Sequence, residues 1–356
     1  MGFWNWFSEI FSSSATEESN PSFGASSSAV AVLEPSRRAL RFGDPDLENR
    51  ENPWWAPPEV VDVDPRPIVA PEMSAEALAI ENLLVSHFDG HDLTMPPMPR
   101  AAERVLARLR DSQSTMAEVA RDISEDQVMA AEVLRMSNSV FYRGTEKITS
   151  LQSSVTRLGT HALRTLMMHQ SLRSAMFPKS GVDRDVAERL WRRSLASGCV
   201  MRGLAEFTKL DPDDALLIGL MHDIGNVLVL RITHERQVMQ TRLDWGTFEY
   251  LCFECHQEFG ELIAEAWKLP SELKSLISNH HACPNPEDPL RVQRWMLMLT
   301  DMVNQMLGYD VEAQYDLMRS RPVMELGLLG RSDFEDFFGR LPEEIEEMLA
   351  SLEVRK

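Results

Sequence analysis

The chain has 356 residues, 44% of them hydrophobic and 26% charged, and its formal net charge at pH 7 is -19. This composition is ordinary for a globular protein, and the length allows one large domain or two moderate ones. The acidic balance argues against nucleic acid as a partner, because binding to phosphate needs a cationic surface. The four cysteines are too unevenly placed to form the disulfide framework of a secreted protein.

Residues 1–11, MGFWNWFSEIF, form an aromatic segment with a single charge. Coiled as a helix, the segment would place Phe3 and Phe7 on one face, which could dock on a partner or enter a membrane interface. Trp4 and Trp6 are therefore candidate partner-binding residues. A terminus that folds back onto its own domain explains the segment equally well.

Residues 12–71 are rich in Ser, Pro, Glu and Asp and show no sustained period, which is typical of a disordered linker. We expect residues 1–73 to form a disordered N-terminal arm. Trp54 and Trp55 stand within it, in the aromatic island NPWWAPP. This island could be a docking motif for a partner or could contact the folded domain.

From about residue 74 helical periods follow one another and alternating patterns are almost absent, so the chain is predicted to be all-α. None of its apolar runs approaches transmembrane length, and no signal-peptide pattern opens the chain. We therefore expect a cytoplasmic protein.

One stretch, residues 213–230, organises this helical region. Acidic residues suit its start, where free backbone N–H groups favour negative charge. The apolar run that follows predicts a buried central helix. His222 and Asp223 lie inside this run. A buried imidazole and carboxylate need partners, which can be a metal ion, or a hydrogen bond and an arginine.

Several segments resemble the HDOD domain and occur in the order of that family. They are Met95–Pro99, Val119–Asp126, Leu134–Tyr142, Ile148–Leu151, Leu158–Gly159 and Gly219–Leu230. HDOD domains are bacterial all-α signalling modules that are related to the metal-dependent HD and HD-GYP phosphohydrolases. They generally lack parts of the catalytic set of those enzymes. The resemblance runs from about Asp92 to about Gly308.

The resemblance implies an HDOD domain at residues 74–310. A helical lobe that is specific to HDOD, at about 92–180, would be fused to an HD-like helical bundle at about 183–310. Residues 311–356 continue with helical periods, and we expect them to form a C-terminal helical extension that packs on the bundle or on a partner.

By resemblance, a set of residues matches metal ligands of HD-type enzymes. They are His222, Asp223, His256, His280, His281 and Asp301. In those enzymes His and Asp side chains from several helices hold one or two divalent ions. The ions lower the pKa of a bound water and polarise a phosphoryl oxygen.

The chain departs from HD-type enzymes at an early position, where they have a His ligand and this chain has Arg193. A guanidinium offers no lone pair and stays charged, so it cannot ligate a metal. It could instead pair with Asp223 or Asp301. The Gly-Tyr-Pro element of the HD-GYP branch is also absent after His281. We therefore expect a vestigial site that holds no cofactor beyond a residual divalent metal.

The stretch Cys252-Phe253-Glu254-Cys255-His256 fits the C-x-x-C-H pattern of covalent haem attachment. That attachment follows export, and no signal peptide is expected. A zinc site could add a later His or Cys, but the gap along the chain is long. The favoured interpretation is a pair of core cysteines one helical turn apart.

Together these patterns favour a non-catalytic regulatory protein of bacterial signal transduction that acts by binding signalling proteins. The enzymatic alternative is a metal-dependent phosphohydrolase, or a cyclic-dinucleotide phosphodiesterase, with a degenerate site. A third alternative is a sensing module whose former active site binds a nucleotide without cleaving it.

Overall fold

The computed structural model describes residues 78–82, 84, 93–139, 141–178, 182–235, 244–309 and 317–352. Twelve α-helices have both ends within these residues. In chain order they are α1 (Arg100–Arg110), α2 (Met116–Ser124), α3 (Gln127–Ser137), α4 (Leu151–Met176), α5 (Arg184–Leu204), α6 (Pro212–Met221), α7 (Asn226–Glu235), α8 (Trp245–Ala266), α9 (Ser271–Ser278), α10 (Arg291–Met306), α11 (Arg321–Glu325) and α12 (Ser332–Leu352). No β-strand occurs in this part of the chain, and the all-α prediction is confirmed.

The N-terminal arm expected at residues 1–73 lies outside the described residues. The same holds for the partner-binding candidates Trp4, Trp6, Trp54 and Trp55. Their roles stay predictions.

The starts of several helices follow from local sequence. In four helices the side chain of an aspartate just before the first turn accepts hydrogen bonds from backbone N–H groups of that turn. These residues are Asp126, Asp183, Asp211 and Asp244. Each satisfies donors that have no partner within the helix and places negative charge at the positive end of the helix dipole.

The central apolar run forms two helices, so the expectation of one continuous helix is wrong. Helices α6 and α7 are separated by a turn at residues 222–225, which carries His222 and Asp223. A Cβ atom on Gly225 would lie 1.9 Å from the carbonyl oxygen of His256. The turn therefore packs directly on the backbone of α8, and only glycine leaves room for that approach.

The expectation that no apolar run approaches transmembrane length is wrong for this same run. Residues Pro212–Thr233, including the turn at 222–225, form a stretch of 22 residues whose most apolar 18 residues have a mean hydropathy of 1.6, which is long and apolar enough to cross a membrane by length and composition. Within its most apolar window, however, 89% of the residues are buried inside the protein. The stretch is the centre of the core.

Close packing of α5 on α6 brings two parts of the future site together. A Cβ atom on Gly219 of α6 would lie 2.4 Å from the carbonyl oxygen of Ser197 of α5, so the two backbones nearly touch. Arg193 lies one turn before Ser197 on α5, and the turn 222–225 follows α6 directly. This geometry places Arg193 beside that turn.

The first turn of α6 contacts elements on the N-terminal side of the chain. The hydroxyl of Tyr142 donates a hydrogen bond to the carboxylate of Asp213, which also pairs with Arg202 of α5. The next carboxylate, Asp214, pairs with Arg164 of α4. We call these contacts of Asp213 and Asp214 the N-terminal joint. Helix α6 runs from this joint to the turn that carries His222 and Asp223.

The C-terminal helix α12 packs into the same core. Its residues Phe334, Phe337, Leu341 and Ile345 are fully buried and belong to the same hydrophobic cluster as the rest of the bundle. The helical character that was predicted for this region agrees with α11 and α12.

Candidate metal centre

The structure brings all six expected ligands and Arg193 into one buried cluster. Arg193 comes from α5, His222 and Asp223 from the turn after α6, His256 from α8, His280 and His281 from the turn after α9, and Asp301 from α10. The side chain of His281 is 16% exposed, and the other side chains are at most 3% exposed. The cluster is therefore almost completely removed from water.

Backbone carbonyl groups fix the orientation of three of the imidazoles. The Nδ1 atoms of His222, His256 and His280 lie 2.9 Å, 2.9 Å and 3.1 Å from the carbonyl oxygen three or four residues earlier. A carbonyl oxygen only accepts hydrogen bonds, so each Nδ1 carries the ring proton. The lone pair of each neutral ring therefore lies on Nε2, as in histidines that bind metals.

These Nε2 atoms converge on one point. His256 Nε2 lies 3.2 Å from His280 Nε2 and 3.0 Å from His281 Nε2. The Oδ1 atom of Asp223 lies 3.6 Å and 3.4 Å from the Nε2 atoms of His256 and His280. Ligands about 2.1 Å from one ion stand roughly 3.0–3.4 Å apart in octahedral or tetrahedral geometry. His256, His280 and His281 therefore form one group that could hold a divalent ion, and His222, Asp223 and His280 form a second, overlapping group.

His222 has a different environment. Its Nε2 atom lies 3.6 Å from Asp223 Oδ1 and 3.4 Å from Asp301 Oδ1, and no hydrogen bond of normal geometry reaches it from the described residues. Burial lowers the pKa of His222, but the two carboxylates and the carbonyl of Gly219 outweigh burial and raise that pKa above its usual value. Burial dominates for His280 and lowers its pKa. His280 therefore keeps its lone pair, whereas His222 favours a proton.

Arg193 occupies the side of Asp223 that faces away from these histidines. Its Nη2 atom lies 3.0 Å from Asp223 Oδ2, and its Nη1 atom lies 3.4 Å from both carboxylate oxygens of Glu249. All three side chains are at most 3% exposed. Of the two partners expected for Arg193, the structure pairs it with Asp223, and it adds a buried carboxylate that the sequence analysis missed.

Glu249 belongs to no motif, yet a signal for it exists in the sequence. It precedes His256 by seven residues, which is two turns of α8, so both side chains share one face of that helix. Its immediate neighbour Phe248 and nearby Cys252 are buried apolar residues. A carboxylate on such a face needs a buried cation, and Arg193 is that cation.

Two further polar side chains that the sequence analysis missed hold the turn of His280 and His281. The amide of Gln257, with its oxygen directed at the turn, accepts hydrogen bonds of 3.2 Å from the backbone N–H groups of both histidines. The guanidinium of Arg294 donates to the carbonyl of Asn279, and at 3.2 Å to that of Ser275. The histidine pair is thus held through its backbone from α8 and α10.

The C-x-x-C-H motif contributes only its histidine to this cluster. Cys252 and Cys255 are buried on α8, and burial raises the pKa of both thiols above its usual value, which keeps them neutral. Among the described residues, no group with metal-binding geometry contains a cysteine. Two neutral thiols in the core fit the packing interpretation.

Comparison with protein families and curated proteins identifies relatives of this chain. The model of the HDOD domain matches residues 95–283. An uncharacterized protein of Treponema pallidum (strain Nichols) is 23% identical over 208 residues, which are 54% of this chain and 39% of that protein. The chain therefore spans about two fifths of the length of that relative.

Solved structures share the fold. A candidate metal-dependent phosphohydrolase from Shewanella amazonensis SB2B has a TM-score of 0.65 at 18% identity, over 79% of this chain and 100% of that chain. An HDOD domain protein of unknown function from Geobacter sulfurreducens has a TM-score of 0.54 at 22% identity, over 75% and 99%. A candidate signal transduction protein from Marinobacter aquaeolei VT8 has a TM-score of 0.54 at 21% identity, over 81% and 68%.

Proposed function

Because the chain belongs to the HDOD domain family, we propose that it is a non-catalytic regulatory protein of bacterial signal transduction. In this proposal it works in the cytoplasm by binding signalling proteins. The observation that carries the proposal is the buried contact of 3.0 Å between Arg193 and Asp223, in a cluster that otherwise has the composition of an HD-type metal site.

The pairing of Arg193 with Asp223 opposes chemistry that needs two metal ions. In such sites a pair of ions about 3.5–4 Å apart stabilises the attacking and leaving oxygens of the substrate. A carboxylate that bridges two ions uses both of its oxygens. Oδ2 of Asp223 is already engaged by the guanidinium of Arg193, and a fixed cation there repels a second ion.

Burial supports the same conclusion. A phosphodiester has to bring its phosphoryl oxygen within bonding distance of the metal or of the attacking water. Asp223, His256 and His280 are at most 3% exposed, and only His281 reaches the surface to a moderate extent. The cluster is suited to holding helices together.

A single-metal site is the second candidate function, and the convergence of His256, His280, His281 and Asp223 favours it. One of the proteins with this fold is named as a candidate metal-dependent phosphohydrolase. Bound there, a divalent ion would supply Lewis acidity and a bound water of lowered pKa. The protein would hold it with the imidazoles of His256, His280 and His281.

Metal content and turnover test the two candidates together. We expect protein purified without chelators to contain at most about one transition-metal ion per chain by elemental mass spectrometry. We expect no turnover of a generic phosphodiester, bis(p-nitrophenyl) phosphate, with added Mn²⁺ or Fe²⁺. His280→Ala should lose any metal, because His280 belongs to both candidate metal groups of the buried cluster. Turnover that His280→Ala abolishes would contradict the non-catalytic proposal, with one bound ion per chain as with two.

The variant Arg193→His restores the residue type of HD-type enzymes at this position. If the rest of the site is complete, this variant should bind a second ion, because an imidazole lone pair then replaces the guanidinium. An unchanged metal content would mean that the side chains around Asp223 do not form a second metal site even without the guanidinium.

Trp4, Trp6, Trp54 and Trp55 are the proposed contacts to signalling partners, because Trp side chains often dominate binding energy at interfaces. Replacing all four by Ala should abolish partner capture and leave the thermal unfolding midpoint within about 1 °C of wild type. A large fall of the midpoint would instead favour the alternative that these residues contact their own domain.

A further inference from the structure

A cavity of about 480 Å³ lies apart from the buried metal centre. Side chains of α1, α4, α6, α9 and α10 line it, together with the turn before α9. Its volume falls within the range of about 300–1,000 Å³ that is typical of small-ligand sites. We call it the interlobe chamber, because α1 and α4 precede the HD-like part of the chain and the other helices belong to it.

The interlobe chamber has an aliphatic wall. Leu106 and Leu109 come from α1, Met168 from α4, Leu217 from α6, and Leu273 from α9. No aromatic ring occurs among its described lining residues. A nucleobase would find no ring to stack on there, whereas branched and flexible aliphatic side chains adapt to an alkyl chain.

Two guanidinium groups stand among the lining residues with hydrogen-bonding capacity to spare. Arg110 is exposed, and its Nη2 atom donates a long hydrogen bond of 3.4 Å to the carbonyl oxygen of Lys268. Among the described residues no carboxylate lies within 4 Å of Arg110. Arg164 pairs with Asp214, but its Nε atom is buried and meets no acceptor.

The acidic groups that line the chamber are already engaged. Asp214 is contacted by Arg164 and also by Nδ1 of His161, at 3.2 Å. Glu272 accepts a hydrogen bond of 3.0 Å from the hydroxyl of Ser271. Glu272 also lies in the first turn of α9, where free backbone N–H groups favour negative charge. Arg110 has no carboxylate partner among the described residues, and the carboxylate of an anionic head group would supply one.

We propose that the interlobe chamber binds an anionic amphiphile, a linear alkyl chain that carries a carboxylate. The alkyl chain lies against the leucines, and the carboxylate accepts hydrogen bonds from the exposed guanidinium of Arg110. Burial of the alkyl chain supplies the affinity, and this guanidinium selects the sign of the head group.

The position of the chamber gives this ligand a route to the buried centre. Leu217 and Ile218 line the chamber, and the carbonyl of the next residue, Gly219, accepts the Nδ1 proton of His222 at 2.9 Å. An occupant of the chamber therefore touches α6 one turn before the His-Asp turn. This binding site stands whether or not the cluster around Asp223 binds a metal, so the two proposals fail independently.

Calorimetric titration of the full chain with decanoate tests the proposal. Decanoate stays monomeric at millimolar concentration and has the proposed chemistry. We expect saturation at one molecule per chain. Decyltrimethylammonium, which has the same alkyl chain and a cationic head, should bind at least tenfold more weakly. Equal affinity for both amphiphiles would overturn the assignment of the head group, and no saturable decanoate binding would overturn the site.

Matched variants locate the binding. Leu109→Trp fills the chamber from a half-buried position and should weaken decanoate binding at least tenfold, whereas Val128→Trp, on an exposed surface, should not. Arg110→Ala should weaken decanoate binding three- to tenfold and leave decyltrimethylammonium unchanged, and the exposed control Arg121→Ala should change neither. Because Arg110 is exposed, that variant folds even if Leu109→Trp does not. Wild-type affinity in Arg110→Ala and Leu109→Trp would overturn the proposal.

Discussion

Two arginine–carboxylate pairs, one at each end of helix α6, differ in their access to water. At its N-terminus Asp213 and Arg202 are 17% and 19% exposed. After its C-terminus Asp223 and Arg193 are each 3% exposed. Partly exposed charges can exchange their partner for water, so a pair of this kind contributes little net stability. Buried charges have no such alternative, and each depends on the group beside it.

The largest expected effect is that of Arg193→Ala. This variant leaves the carboxylates of Asp223 and Glu249 in the core without the guanidinium that now contacts both, and loss of one buried ionic partner costs about 3–5 kcal/mol. Urea unfolding followed by circular dichroism measures the change. The neighbouring variant Arg192→Ala is the control, because Arg192 is 36% exposed and pairs with the exposed Glu346, so its removal should cost less than about 1 kcal/mol.

A loss of about 1 kcal/mol or less in Arg193→Ala would contradict the contrast between the two ends of α6. Recovery of the lost stability on addition of Mn²⁺ would sharpen the contrast, because a divalent ion would then replace the guanidinium as the cation of this cluster.

An effect of intermediate size on the free energy of unfolding is expected from a change of pH, because the imidazole of His169 is buried beside the middle of α6. His169 lines a small cavity with Leu216 and Leu220, and its ring packs on Trp191 at a centroid distance of 4.8 Å. Burial, with a smaller contribution from Arg173, lowers the pKa of His169 to about 3.

The sign of this pH effect follows from proton uptake. Between about pH 6.5 and pH 3 the unfolded chain binds a proton at His169 and the folded chain does not. Acid therefore favours unfolding, and we expect His169 to lower the free energy of unfolding by about 2 kcal/mol between pH 7 and pH 5. His169→Phe should remove that part of the pH dependence in urea titrations.

The smallest effect is expected from the same arginine-to-alanine change at the N-terminal joint. Arg202→Ala removes the cation beside Asp213, where water can replace it, and should cost about 1–2 kcal/mol. High salt should reduce this cost, whereas the cost of Arg193→Ala should hardly change with salt. Equal costs and equal salt dependence at both ends would mean that burial does not distinguish the two pairs.

Two kinds of information in the chain anticipated the fold and much of the site. Helical periods and capping aspartates such as Asp211 are local signals, so the all-α architecture could be predicted from them. The family resemblance supplied the six candidate ligands, and the mismatch at Arg193 was visible because a guanidinium cannot replace an imidazole as a ligand.

Tertiary packing decided the rest. Arg193 and Glu249 are 56 positions apart and meet only because α5 and α8 pack on the same turn, so no local pattern could pair them. The break between α6 and α7 likewise depends on the close approach of Gly225 to the backbone of α8. The apolar pattern of the sequence does not indicate this break. The sequence by itself determined which elements form and which ionisable residues the core has to accommodate. Only the folded structure decided which charged groups pair with each other, because pairing depends on burial and on distances between residues that are far apart in the chain.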